Sequence, residues 1–121
     1  MPANFGTLLR SVRRQRSLSQ RELASKAGVH HTYISKLENG DERPSQEVIR
    51  SLADALGIDR MELELGAGYL PDEFVKVIAK RAELRSLLAL AARNRLSDDA
   101  YRTLNEIAEK ANKVNRPVWL K

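Results

Sequence analysis

Apolar residues recur at intervals of three and four along this chain, and no stretch alternates apolar with polar at intervals of two. That period fits helices and excludes a half-buried sheet, so the expected fold class is all-α. Start and stop signals divide the pattern. Phe5, Leu8, Leu9 and Val12 share one face of a first helix over 5–16, which Ser17 and Leu18 break. Ser19, with Glu22 three residues later, forms a capping box for a second helix carrying Leu23, Ala24 and Ala27 to a stop at Gly28. A third helix, over 31–38, places Ile34 and Leu37 inward and stops at Asn39-Gly40, with His30 as a substitute cap. Ser45 caps a fourth, with Val48, Ile49, Leu52, Ala53 and Leu56 as its stripe and Gly57 as its stop. Asp59 and Glu62 are expected to box a short fifth helix over 60–65, on which Glu62 and Glu64 look solvated.

Gly66-Ala67-Gly68 reads as a short hinge between a first domain over 1–65 and a helical region over 69–121. Pro71 suits the first turn of a sixth helix, and Asp72 and Glu73 complement its dipole. A seventh helix over 82–93 carries Leu84, Leu87, Leu88 and Ala91. Ser97 caps an eighth with Tyr101, Leu104, Ile107, Ala108 and Ala111 inward, and Pro117 is expected to turn the chain out of it. The longest apolar run, Leu87 to Ala92, has six residues, against about twenty for a membrane span. Arginines arrive early in the amino-terminal segment, which does not read as a signal peptide, so a cytoplasmic protein with no membrane partner is expected. The absence of cysteine excludes disulfides and thiolate metal sites.

Two short helices around a tight glycine-containing turn, over 19–40, make a helix-turn-helix pattern. The second helix of such a pair enters a DNA major groove, so one face must stay polar. With Val29, Ile34 and Leu37 inward, His31, Thr32, Ser35 and Lys36 remain on the outer face. Net charge is +5, and the first forty residues carry all of it: seven Lys or Arg against two Glu, with fourteen of each sign in the remainder. A basic reading head suits an acidic partner, with double-stranded DNA foremost.

The segments Ser19-Gln20-Arg21-Glu22-Leu23-Ala24, Ala27-Gly28-Val29, Tyr33 through Gly40, and Arg43-Pro44-Ser45 resemble the Cro/XRE family of lambda-repressor-like DNA-binding domains. The match covers residues 5–65, half the chain. It implies a five-helix domain whose third helix reads bases. By that resemblance His31, Thr32 and Lys36 contact base edges, with Ser35 beside them, although His31 departs from the Gln or Arg of many relatives. Gln20 falls at a phosphate, Asn39 and Arg43 look like further phosphate contacts, and Tyr33 lies near the backbone. The cluster Arg10, Arg13, Arg14 and Arg16 is either a solvated face or, through one or two members, a phosphate contact, with Arg10 as candidate. Arg13 and Glu38 correspond to a structural ion pair between the first and third helices.

No catalytic, metal or cofactor site is expected. Adjacent His30 and His31 do not share a helix face and have no third ligand at metal spacing. Ser17, Ser19 and Ser35 lack a histidine–acid pattern. Asp98-Asp99 sits in a first helical turn, where the dipole accounts for it.

The three further helices must bury their apolar faces, and a second copy is the economical cover. A homodimer held through Phe74, Leu84, Leu87, Leu88, Tyr101, Leu104 and Ile107 is expected, on a palindromic operator. This half also weakly resembles repressors paired with ImmA/IrrE-type metallopeptidases, which implies relief by cleavage, with Arg93 to Ser97 as the candidate cut region. Two alternatives remain: an antitoxin that binds a toxin through these helices, or through the tail Pro117-Val118-Trp119-Leu120, and a restriction–modification controller.

Overall fold

The structure is a computed structural model that describes residues 4–112 of the 121. The 117–120 tail lies outside the described residues. Eight helices and no strand are present among the described residues: α1 Phe5–Gln15, α2 Gln20–Ala27, α3 His31–Asn39, α4 Gln46–Leu56, α5 Arg60–Gly66, α6 Asp72–Lys80, α7 Ala82–Ala92 and α8 Asp98–Ala111. The chain divides after Tyr69 into two compact units.

The first unit closes one core. Leu9 of α1, Leu23 of α2, Ile34 and Leu37 of α3, Ile49 and Leu52 of α4, Ile58, and Leu63 of α5 are all fully buried. Each such side chain contributes about 1.5–3 kcal/mol by leaving water. α3 packs on both α1 and α2, α2 on α4, and α5 on α4 and α1, so α3 is held from two sides. The ends form for local reasons. Asn4 caps α1 by accepting from Thr7 N–H at 2.9 Å. The Ser19–Glu22 capping box closes with both hydrogen bonds at 3.0 Å. Gly28 ends α2 at φ +73°, a left-handed conformation that glycine adopts without Cβ strain.

Some expectations change at the ends. Asp59 caps α5 by accepting from Met61 N–H at 2.9 Å rather than through a box with Glu62. Glu64 is buried, not solvated, and pairs with Arg60 at 3.3 Å, because α5 turns that side of its last turn toward the unit. Gly66 completes α5, and Ala67 and Tyr69 pack on the first unit's core. Pro71 is the cap of α6, one position before its first turn.

The second unit is built differently. α6 packs on α7 through a single extended residue, Arg81. Arg85 Nη1 covers the carboxyl end of α6 by donating to Ile78 O at 2.9 Å and Ala79 O at 2.6 Å. No residue of α6, α7 or α8 is buried. Phe74, Leu84, Leu87 and Leu104 are half-buried; Tyr101, Ile107, Ala108 and Ala111 are exposed rather than inward, and Val77 and Leu88 are exposed as well. Among the described residues, these helices of 9, 11 and 14 residues leave every side chain at least partly in contact with solvent. No described helix is long and apolar enough to cross a membrane.

Candidate nucleic-acid interface

The candidate reading element is α3, and its inner edge is fixed by one carboxylate. Glu38 is buried and collects donors from two other helices. Arg13 of α1 grips it at two points, Nε to Oε2 at 2.6 Å and Nη2 to Oε1 at 2.9 Å. Arg10 Nε donates to Oε1 at 3.2 Å, and Gln20 Nε2, from the first turn of α2, donates to the same oxygen at 3.1 Å. Burial alone would push the Glu38 carboxyl up, but the hydrogen bonds from Arg13, Gln20 and Arg10 outweigh it and hold it below the ordinary carboxylate value. The same bond raises Arg13. Arg13 Nη1 also donates to Leu18 O at 2.9 Å, tying down the turn before α2.

Arg10 and Gln20, expected at phosphates, are thus committed in this structure to Glu38. Asn39 is drawn in as well, accepting from Arg10 Nη2 at 3.3 Å. Arg43 takes a different partner. Its guanidinium lies 4.1 Å over the Tyr69 ring and its Nε donates to Ala67 O at 3.2 Å, while Tyr69 OH donates to Pro44 O at 2.8 Å. The loop after α3 is therefore pinned to the end of the first unit. Tyr33 is half-buried against the core. Burial first, then Glu42 and Tyr69, push its hydroxyl up, so it stays protonated.

At 100° per residue, 32, 35 and 36 occupy an arc facing away from Ile34 and Leu37, and 31 lies at the edge of that arc, about 20° from Glu38. Thr32 and Lys36 are exposed there, and His31 and Ser35 are half-buried. The His31 ring stacks on His30, centroids 4.6 Å apart at 28°. Loss of solvation, then the charge of Arg21 and the neighbouring His30, lower its pKa, so it is neutral at pH 7. His30 caps α3: its Nδ1 accepts from Thr32 N–H at 3.2 Å and lies 2.5 Å from Thr32 Oγ1.

Sequence reasoning did not single out Arg21, whose charge acts on His31 from the first turn of α2; an exposed basic residue at that position was the available signal. It also missed Tyr69 as the partner of Arg43, for which no local signal exists. Among the described residues, no three His, Cys, Asp or Glu side chains are placed to hold a metal ion.

A family model described as a helix-turn-helix domain matches residues 4–65. Over 73 residues the chain is 37% identical to the uncharacterized HTH-type transcriptional regulator Rv0474 of Mycobacterium tuberculosis, covering 60% of this chain and 52% of that protein. This chain thus spans about half the length of that relative. Over 112 residues it is 33% identical to the HTH-type transcriptional repressor RghR of Bacillus subtilis, covering 85% of this chain and 81% of the repressor. Among solved structures, the restriction-modification controller protein C.AhdI from Aeromonas hydrophila is 39% identical, with a TM-score of 0.48, over 49% of this chain and 89% of that one.

Proposed function

The chain belongs to the helix-turn-helix domain family of Cro/XRE-type transcriptional regulators, and from that premise we propose that it is a sequence-specific double-stranded DNA-binding repressor. The observation that carries this reading is α3. Its inner side is locked through Glu38 to α1 and α2, and its outer side offers His31, Thr32, Ser35 and Lys36. A helix held from behind with hydrogen-bonding side chains in front is what major-groove readout needs. Lys36 donates to guanine O6 and N7. Gln20, Arg10, Asn39, Tyr33 and Arg43 flank that face as phosphate contacts, using N–H and O–H groups left over from their internal bonds.

The protein acts as a homodimer on a palindromic operator in the cytoplasm. The exposed Leu88, Tyr101 and Ile107 support this, because a second copy would cover them. Cleavage by a partner metallopeptidase between α7 and α8 would remove α8 and relieve repression; the exposed Arg93, Asn94 and Arg95 favour that stretch as the cut site. The same exposed faces support a second reading, an antitoxin whose helices hold a toxin while the first unit represses the operon. Co-purification with the product of the neighbouring gene separates the two.

The test is binding of the full chain to DNA from upstream of its own gene against scrambled DNA, at several salt concentrations. Tight binding to the native DNA with a steep salt slope is expected. Equal, weak binding to both would remove the reading.

A further inference from the structure

Thr32 lies on the outer side of α3, and its hydroxyl is already oriented from within the protein. Thr32 N–H donates to His30 Nδ1 at 3.2 Å, so that nitrogen carries a lone pair and no proton. Thr32 Oγ1 lies 2.5 Å from the same nitrogen. With Nδ1 accepting from the backbone N–H, the hydroxyl is the donor in this contact, and O–H and N–H share the one lone pair of that nitrogen. A threonine hydroxyl has one proton and two lone pairs. With the proton committed to His30, only acceptor capacity remains toward solvent. Thr32 is exposed and free to present it.

We infer that His30 sets the base preference of α3 by turning the Thr32 hydroxyl into an obligate acceptor, so that the nucleotide facing Thr32 is one presenting an exocyclic amine in the major groove. In the major groove adenine N6 and cytosine N4 donate, whereas guanine N7 and O6 and thymine O4 accept. An unassisted threonine would serve either class. His30 is a positioning residue: it acts on DNA through Thr32 and contributes selectivity beyond its service as helix cap. The inference rests on the proposed DNA-binding function.

The experiment starts with selection of the full chain's preferred sequence from a random double-stranded pool. A pool with no enriched sequence would overturn the DNA-binding reading and this inference with it. Given an enriched site, Thr32→Val keeps the shape and removes the acceptor, so the step at which its preference relaxes is the one Thr32 faces. Adenine or cytosine is expected there. Replacing it with the analogue lacking the amine should weaken wild-type binding about tenfold and leave Thr32→Val unchanged. His30→Ala should admit guanine at that step, while His30→Asn, whose side-chain oxygen can accept both bonds, should restore the wild-type preference. Guanine or thymine at the step, an analogue that weakens both proteins equally, or a His30→Ala protein that loses affinity evenly for every base would each overturn the inference.

Discussion

Glu38 and Arg13, 25 residues apart, meet in a buried two-point pair at 2.6 and 2.9 Å that joins the last turn of α3 to α1. The pair decides how rigidly the reading helix is held. Removing the main partner of a buried charge costs about 3–5 kcal/mol, and without Arg13 the buried Glu38 keeps only the more exposed Arg10 and Gln20 as donors. Arg13→Ala should therefore lower the free energy of urea unfolding by about that amount. Arg10→Ala removes only the more exposed donor to the same carboxylate and should cost under about 1 kcal/mol. Equal losses in the two variants would show that the two-point grip is not what matters.

The same carboxylate predicts an acid limit. Glu38 titrates below its ordinary value of 4.5 in the folded protein. A depressed carboxylate stabilises the fold fully above its unfolded pKa, and that contribution is lost as pH falls through the lower, folded value. Thermal stability should thus hold down to about pH 4.5 and decline below it. Glu38→Gln should be less stable at neutral pH and show a shallower decline. Melting curves from pH 6 to pH 2.5 on both proteins check this, and parallel curves would exclude Glu38 as the titrating group.

Lys36 is exposed on the outer face of α3. Lys36→Ala should cost about 1–3 kcal/mol of operator affinity and relax preference at one base step. Gln20→Ala has a mixed expectation because Gln20 Nε2 also serves Glu38. It should lower stability slightly and weaken DNA binding evenly across sequences. Titration against the operator and its single-step variants separates the two patterns.

Leu88 is 45% exposed and Ile107 60% exposed, and both lie on helices without a buried residue. Light scattering at micromolar concentration should give twice the chain mass of 13.7 kDa. Leu88→Glu and Ile107→Glu should each shift the protein toward monomer while leaving the first unit's melting unchanged. A wild-type monomer would remove the dimer proposal.

Local chemistry explains what was legible in the sequence. Ser19, Ser45 and Ser97 each cap a helix by accepting from a backbone N–H three residues on, a signal contained within one turn. The periods of Leu9, Leu23, Ile34, Ile49 and Leu52 located the core of the first unit for the same reason. Contacts between distant residues left no such trace. The Arg13–Glu38 pair was reachable only through the family resemblance, and the stacking of Arg43 on Tyr69 was not reachable at all. Gln20 and Arg10, expected at phosphates, converge instead on Glu38, a meeting of three helices that no local pattern signals.

Gly6 is held against the backbone of α3, a contact between residues distant in sequence. It lies in the first turn of α1, where replacing glycine with alanine ordinarily stabilises a helix by about 0.5–1 kcal/mol. Here a Cβ on residue 6 would fall 2.3 Å from Glu38 O and 2.7 Å from Leu37 O. Those atoms are backbone of the last turn of α3 and cannot rotate away, so α1 and α3 would have to separate. Gly6→Ala should destabilise by at least about 1–3 kcal/mol, as overpacking does. Gly66→Ala is the matched control. Its Cβ would meet only Leu8 Cδ2, at 2.8 Å, the far end of a side chain that can shift. Urea midpoints should fall clearly for Gly6→Ala and little for Gly66→Ala. Because the strain in Gly6→Ala falls on α3, its operator affinity should drop more than that of Gly66→Ala even at temperatures where both are folded. A Gly6→Ala protein as stable as wild type would mean that α1 and α3 do not approach as closely as this contact requires.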